Sequence, residues 1–370
     1  MKIAQVSPLT ESVPPKQYGG IERIVSYLTE ELVAQGHEVT LFASGDSETS
    51  ARLVAPCKQA LRISHCPEPL AHHLLMFEKL LRRADAFDII HFHTDYRHFP
   101  LARRLPTPHV TTHHGRLDIP ELGQMHREFR EVPVISISDA QRQPLPHAHW
   151  LGTVHNGLPT DLYHFQAEAE DYLAFLGRVS PEKGVDQAIA IARQTGRTLK
   201  IAAKVDPVDH AYFTQHIQPL LDQPGIEFLG EVSDVQKQVL LGRAAGLLFP
   251  IDWPEPFGLV MIEAMACGTP VIAYRRGAVP EVITDGLNGF IVDNQAQAVA
   301  AVNRLHNIRR TDCRHHFEEH FSARHMVEGY LSLYEQQIAQ HLGQRRHKDL
   351  PGHINPDIRY TKNRQPRLVS

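Results

Sequence analysis

Two carboxylates lie eight residues apart in the segment EPFGLVMIEAMACGTPVIA, residues 255–273, whose pattern predicts a loop, a helix, a glycine stop and a strand. Helical side chains lean toward the N-terminus, so Glu263 should point back to the helix opening, where Glu255 lies. That opening offers amide N–H groups to a phosphate, while carboxylates accept hydrogen bonds from hydroxyls. The segment therefore suits a ligand with both groups, such as a nucleotide sugar. The alternative is a helix-start charge at Glu255 and an exposed helix residue at Glu263.

Two cations, Arg178 and Lys183, lie five residues apart in LGRVSPEKG, residues 176–184, directly after a predicted strand. We expect both to reach one diphosphate. Their charges would then stabilise the negative charge that builds on a leaving nucleoside diphosphate. Taken alone the signal is weak, because a solvated loop can carry two cations by chance.

The first half of the chain supplies two further candidate segments. Gly19 and Gly20 precede a predicted helix and would let the backbone approach a ligand closely, although a lone glycine pair is more often only a turn. VTTHHG, residues 110–115, closes a predicted strand with His113 and His114. The doubled histidine leaves open by one residue which imidazole faces a ligand.

His91 and His93 end another predicted strand, where alternate residues share one face and two imidazoles could bind a metal ion. A metal hydrolase is therefore an alternative, but the sequence shows no further ligands for such a site. His93 and Asp95 are weaker candidates for contact with an acceptor substrate.

Short apolar runs alternate with amphipathic stretches throughout the chain, which is typical of parallel sheets with crossover helices. The pattern predicts an α/β fold with two doubly wound, Rossmann-like domains, at residues 1–160 and 168–320. A helix at 321–342 should pack back toward the first domain, and 343–370 should form a basic, disordered tail. Strands are predicted at residues 2–6, 38–43, 88–92, 109–112 and 132–137, and at 172–176, 199–203, 226–229, 246–249, 270–273 and 289–292.

Composition narrows the function classes. The 370 residues carry a formal charge of −4, with 42% hydrophobic residues, so nothing favours nucleic acid as a partner. No signal peptide or run of about 18 apolar residues is present, which predicts a cytoplasmic protein. The four cysteines form no CxxC pair. Residues 345–370 carry seven basic and two acidic residues, a small excess that would support only weak peripheral contact with an anionic membrane.

Residues 255–273 resemble the E-x7-E signature of the retaining family 4 glycosyltransferases, which have the GT-B fold of two Rossmann-like domains facing each other across a cleft. The resemblance implies that Glu255 contacts donor-sugar hydroxyls and that Glu263 binds the nucleotide ribose. The backbone near Phe257, Gly258 and Leu259 would face the sugar and the diphosphate.

The resemblance extends over residues 1 to about 342. The segment with Arg178 and Lys183 is similar to the family's G-R…K-G element, and Gly19 and Gly20 to its glycine loop near the diphosphate. His114 matches the histidine that hydrogen-bonds the donor sugar near the reacting carbon. Val205 lies in the loop that contacts the base, although this loop lacks the glycines common there.

The resemblance further implies glycosyl transfer from a nucleotide sugar to a hydroxyl of a glycan, glycolipid or small molecule, with retention and without a covalent enzyme intermediate. No Asp-x-Asp occurs, so we expect no divalent metal or other cofactor. The alternatives are a nucleotide-sugar epimerase of the same fold and a non-catalytic sugar-nucleotide binding protein. Pro280 and Glu281 form a good helix start and are assigned a structural role.

Overall fold

The structure is a computed structural model that describes residues 1–16 and 19–348. Its strands form two sheets, one in each half of the chain. The first sheet contains β1 (Lys2–Val6), β2 (Glu38–Phe42), β3 (Arg52–Val54), β4 (Ile89–Phe92), β5 (His109–Thr112), β6 (Val134–Ser136) and β7 (Trp150–Thr153). The second contains β8 (Tyr172–Arg178), β9 (Thr198–Lys204), β10 (Ile226–Gly230), β11 (Gly246–Phe249), β12 (Val271–Tyr274) and β13 (Gly289–Val292).

Helices connect the strands and cover the sheets. In the first half they are α1 (Gly20–Ala34), α2 (Pro69–Leu81), α3 (Phe99–Ala102), α4 (Pro120–Glu128) and α5 (Asp139–Arg142). In the second half they are α6 (Val185–Thr195), α7 (His210–Tyr212), α8 (Gln218–Leu221), α9 (Asp234–Arg243), α10 (Leu259–Ala266), α11 (Val279–Val282), α12 (Gln295–Val302), α13 (Arg310–His320) and α14 (Ala323–Lys348).

Every named strand pair is parallel, in the orders β3-β2-β1-β4-β5-β6-β7 and β10-β9-β8-β11-β12-β13. Strands β11 and β12 are buried along their whole length, which explains their continuous apolar sequence. This architecture confirms the predicted fold class. The order in which successive strands join the sheet reverses between β1 and β4 in one sheet and between β8 and β11 in the other. Ligands bind at such switch points.

Two edge strands, β3 and β7, were not predicted from the sequence. β3 has three residues and β7 has four, and none of them is fully buried. Both occupy a sheet edge, where one face or flank meets solvent and no long apolar run is needed. The alternation signal on which the predicted strands depend is therefore absent from both.

Helix α14 lies against the first sheet. Tyr330 and Tyr334 are fully buried, and their hydroxyls contact Thr112 and Gln5 respectively. The helix continues to Lys348, past residue 342, where the sequence pattern had ended it. The remainder of the predicted tail, 349–370, lies outside the described residues.

Two general properties of the described chain complete the fold. All four cysteines are free thiols, and Cys267 and Cys313 are buried. Across residues 1–16 and 19–348, no helix combines the length and the apolar character that crossing a bilayer requires.

Candidate active site

A glycine in the left-handed conformation begins helix α10 at the end of the loop that follows β11. Gly258 has φ of 82°, and a Cβ there would lie 2.8 Å from Met261 Cε and 3.1 Å from Phe249 Cζ. Phe257 is buried beside the rings of His155 and Phe321 and so anchors the loop. The first amides of a helix have no intrahelical acceptors, so this turn presents N–H donors at the carboxyl end of the sheet.

Glu255 forms an ion pair with Lys183 at this turn. Lys183 Nζ lies 2.6 Å from Glu255 Oε2, and both side chains are largely buried, at 18% and 13% exposed. The indole N–H of Trp253 donates to the same carboxylate oxygen at 3.0 Å. Gly277 approaches so closely that a Cβ on it would lie 2.2 Å from Glu255 O, and Ala278 N donates to that oxygen at 2.9 Å. The backbone of Glu255 is thus fixed by Ala278, and its carboxylate is held by two donors.

Trp253 was not identified from the sequence as a site residue. Its ring also lies beneath two cations, with Lys183 Nζ 5.3 Å and Arg116 Cζ 6.0 Å from the ring centroid. An indole two residues before Glu255 was the available signal, because a buried indole N–H needs an acceptor.

Arg178 takes partners different from those of Lys183. Its guanidinium lies 3.3 Å from Glu182, 3.4 Å from Asp206 and 3.8 Å from Asp209. Burial opposes ionisation of Asp206, but the neighbouring Lys204 and Arg178 outweigh it and lower its pKa. Val205 immediately precedes this aspartate at the end of β9. The two cations that were predicted to share one diphosphate therefore do not share a partner here.

Glu263 is buried, at 6% exposed, so the interpretation as an exposed helix residue is wrong. It accepts from Tyr163 OH at 3.0 Å and from Lys237 Nζ at 2.7 Å. Burial by itself lowers the pKa of Lys237, but the charge and hydrogen bond of Glu263 outweigh it and raise that pKa. The carboxylates of Glu255 and Glu263 are thus each neutralised by a different lysine.

The Glu263 cluster reaches the first domain. Lys237 Nζ lies 3.3 Å from Asp234 Oδ1, and Asp234 Oδ2 lies 3.2 Å from Arg23 NH1 on α1. Tyr163, Lys237 and Arg23 were not predicted. They come from three separate segments, and only the folded chain brings them to Glu263.

The two histidines after β5 have different surroundings. His113 is buried, and its ring packs against Phe99, His126 and Trp150. The half-buried His114 instead contacts His93, with Nε2 2.8 Å from its Nδ1. Burial lowers the pKa of His114 to about 4 and lowers that of His93 well below its usual value.

Asp95, the second acceptor candidate, has a positive φ of 52° and lies 4.0 Å from the Nδ1 atom of His113. Burial raises its pKa, but the neighbouring His113 outweighs this and lowers it. His93 and Asp95 therefore lie at the carboxyl end of the first sheet, beside the two histidines that follow β5.

His91, on β4, and His93, directly after it, each form hydrogen bonds through both ring nitrogens. His91 contacts Tyr334 at 2.6 Å and Thr112 at 2.7 Å, and His93 contacts Gln5 and His114, each at 2.8 Å. Among the described residues, no group of three or more His, Cys, Asp or Glu side chains is arranged to hold a metal ion. The arrangement gives no support to the metal-hydrolase alternative.

Contacts between the domains bring the two halves of the predicted site together. A Cβ on Gly20 would lie 4.0 Å from Leu259 Cδ1, so the glycine turn that begins at Gly19 faces the start of α10. Glu281 accepts from the backbone N–H groups of Asp139 and Ala140 at 2.7 and 2.8 Å. Its role therefore extends beyond the helix start to the domain interface.

Similarity to known proteins agrees with this architecture. The family model for Glycosyltransferase Family 4 matches residues 18–209, more than half of the chain, and the model for glycosyl transferases group 1 matches residues 164–320. The chain is 25% identical over 345 residues to the alpha-maltose-1-phosphate synthase of Mycolicibacterium smegmatis, covering 80% of this chain and 86% of that one.

Solved structures share the fold over most of both chains. AviGT4, a glycosyltransferase involved in avilamycin A biosynthesis, is 26% identical, with a TM-score of 0.68 and coverage of 92% of this chain and 98% of that one. Sucrose-phosphate synthase from Thermosynechococcus elongatus has a TM-score of 0.76 at 20% identity, with coverage of 92% and 100%. This chain belongs to Glycosyltransferase Family 4 and is a glycosyltransferase of the GT-B fold.

Proposed function

We propose that the protein transfers a glycosyl group from a nucleotide sugar to an acceptor hydroxyl, with retention at the anomeric carbon and without a metal ion. The observation that carries the proposal is the Lys183–Glu255 ion pair, held in the loop that leads into α10. It combines a cation, a carboxylate and helix amides at one switch point.

The diphosphate of the donor suits the positive groups of this turn. Negative charge develops as the nucleoside diphosphate leaves. It would be stabilised by the backbone amides of Gly258 and Leu259 and by the ammonium of Lys183. Arg178 would join them by exchanging one of its carboxylate partners, Asp206 or Asp209, for a phosphate oxygen. These fixed charges would supply the stabilisation for which other glycosyltransferases use a metal ion.

The sugar and ribose hydroxyls suit the two glutamates. Glu255 would accept from donor-sugar hydroxyls and Glu263 from the ribose, each keeping its lysine as counter-ion. His114, rather than the core residue His113, would contact the sugar from the opposite domain. Transfer would then require both domains, because the two halves of the site come from opposite sheets. It would proceed without a covalent enzyme intermediate.

A thermal-shift screen of UDP, GDP and ADP, each with and without an attached sugar, tests the donor class. A ligand that binds only the folded state raises the melting temperature. At a ligand concentration of a hundred times Kd it stabilises that state by about 2.7 kcal/mol. We expect the nucleotides of one base to stabilise the protein. The nucleotide sugar of that base should produce the same shift with and without EDTA. No shift with any of the nucleotides would contradict the proposal.

Incubation of the stabilising nucleotide sugar without acceptor separates transfer from the alternatives. Slow hydrolysis to free sugar and nucleoside diphosphate supports a transferase. An epimerised nucleotide sugar would show an epimerase instead, and an intact donor even with added acceptors would show a binding protein.

A further inference from the structure

A continuous chain of buried hydrogen bonds runs from helix α14 to His114. We call it the polar chain. Its consecutive contacts are 2.8, 2.8, 3.2, 2.6, 2.7 and 3.2 Å long. In order, its members are His114, His93, Gln5, Tyr334, His91, Thr112 and Tyr330.

Because the polar chain is buried, its hydrogen bonds all run in one donor-to-acceptor direction. The six members beyond His114 are all fully buried, so water does not compete for their hydrogen bonds. A neutral imidazole donates from one nitrogen and accepts at the other, and a hydroxyl has a single proton to donate. Burial also lowers the pKa values of His91 and His93 well below their usual range, which keeps both rings neutral. The direction of one link therefore sets the direction of the others.

The amide of Gln5 sets that direction. Its Nε2 faces Tyr334 and can only donate, whereas its Oε1 faces His93 Nε2 and can only accept. His93 must therefore carry its proton on Nε2 and accept at Nδ1. The Nε2 atom of His114 must then be the donor to His93, which leaves Nδ1 of His114 unprotonated.

We propose that Gln5 and Tyr334 are positioning residues that hold His114 in the Nε2–H tautomer, so that its Nδ1 accepts a hydrogen bond from a hydroxyl of the donor sugar. This inference rests on the proposed function. It gives α14, the last helix among the described residues, a role at a site built from β1, β4 and β5. His114 is half-buried, and no described residue hydrogen-bonds to its Nδ1.

A double-mutant cycle distinguishes positioning from plain stabilisation. Tyr334→Phe removes the hydroxyl that links Gln5 to His91, and we expect kcat/KM to fall about tenfold, as for one lost hydrogen bond that acts in the transition state. In a His114→Asn background the same change should cost less than about twofold, because Tyr334 acts through His114. An equal loss in both backgrounds would overturn the proposal.

Two further variants keep this test interpretable. Tyr172→Phe removes another buried tyrosine hydroxyl, one that donates to Leu240 O at 2.8 Å outside the polar chain, and should leave kcat/KM unchanged. Gln5→Met breaks the polar chain from the other side and should reproduce the tenfold loss and its dependence on His114. A Gln5→Met enzyme with wild-type kcat/KM would overturn the proposal even if Tyr334→Phe does not fold.

A spectroscopic measurement needs no substrate. In the ¹⁵N-histidine-labelled protein, the His114 signals are those that disappear in His114→Asn. We expect a protonated Nε2 and an unprotonated Nδ1, and in Tyr334→Phe both shifts should move toward the average of the two tautomers. A protonated Nδ1 in the wild type, or unchanged shifts in Tyr334→Phe, would overturn the proposal. Failure of the proposed function alone would appear differently, as this tautomer in a protein that turns over no nucleotide sugar.

Discussion

Lys183 Nζ lies 2.6 Å from Glu255 Oε2, although 72 residues of chain separate them. Lys183 follows β8 and Glu255 follows β11, and these strands are neighbours at the switch point of the second sheet. The sheet topology therefore produces the ion pair. The pair in turn keeps a cation at the loop that leads into α10, where the proposed function would place the leaving diphosphate.

Replacement of Glu255 by Gln should nearly abolish transfer. The amide keeps the size of the side chain but removes the charge that Lys183 and Trp253 hold in place. We expect kcat to fall by about a hundredfold or more, the scale for loss of one preorganised electrostatic group. Steady-state kinetics with the donor identified by thermal shift measures this.

Glu170→Gln is the matched control for that variant. Glu170 pairs with Arg243 on the surface, where the two side chains are 49% and 59% exposed. An ion pair this exposed contributes little to stability. Its kcat should equal that of the wild type. Full activity of Glu255→Gln would remove Glu255 from the donor site.

Gly258→Ala tests the geometry of the helix start. Gly36 and Gly258 have nearly the same φ, 84° and 82°, but a Cβ meets nothing within 4 Å at Gly36 and meets Met261 Cε at 2.8 Å at Gly258. Gly36→Ala should cost about 1 kcal/mol of backbone strain. Gly258→Ala should cost about 1 to 3 kcal/mol more from overpacking, and should weaken nucleotide binding.

Urea unfolding and nucleotide titration measure the two effects of this substitution separately. Equal destabilisation by the two alanines would mean that the contacts with Met261 and Phe249 relax at no cost. Nucleotide binding by Gly258→Ala with wild-type affinity would remove this turn from the diphosphate site.

Glu263→Gln should destabilise the fold even without ligand. The substitution leaves the buried ammonium of Lys237 without its nearest counter-ion, because Asp234, its other partner, is largely exposed. We expect a loss of about 2 to 3 kcal/mol in the free energy of unfolding.

Glu328→Gln is the control for Glu263→Gln, since it breaks an exposed pair with Arg324 one helical turn away. That change should stay within about 0.5 kcal/mol. Equal stabilities of the two variants in urea would show that the Glu263–Lys237 pair does not stabilise the domain.

Stability should fall in acid because buried histidines must gain protons on unfolding. Burial lowers the pKa of His126 to about 3, from an ordinary value near 6.5. Between these values the unfolded state binds more protons than the folded state. The contribution of His126 is therefore fully present above about pH 6.5 and is lost as the pH falls toward 3.

His126→Phe should reduce this acid sensitivity, because an aromatic ring still packs against Phe99 while the titrating group is gone. The slope of unfolding free energy against pH should become shallower by up to about 1.4 kcal/mol per pH unit below pH 6.5. An unchanged slope in His126→Phe would contradict the account of burial.

The sequence predicted what depends on local pattern. Buried parallel strands such as β11 and β12 produce continuous apolar runs, and the turn at Gly258 needs a glycine at one position, so both leave clear signals. The partners of the charged groups left none. Glu263 and Lys237 lie 26 residues apart, and Glu281 and Asp139 lie 142 apart, so only the tertiary fold determines that they meet.

The polar chain illustrates the same limit. HFH and THH were visible in the sequence as unusual strand ends, but nothing local links them to Tyr334, which lies 243 residues beyond His91. The sequence therefore left the choice between His113 and His114 open. The packing of His113 on Phe99 and His126 separates the two histidines.

The stereochemistry of transfer is the sharpest test of the proposed retaining, metal-independent reaction. With the stabilising nucleotide α-sugar and a simple alcohol as acceptor, proton NMR reports the anomeric configuration of the first-formed product, in the presence of EDTA. We expect an α-linked product at a rate that EDTA leaves unchanged, and a rate about a hundredfold lower for Glu255→Gln. A β-linked product, or transfer that stops in EDTA and resumes with added divalent metal, would contradict it.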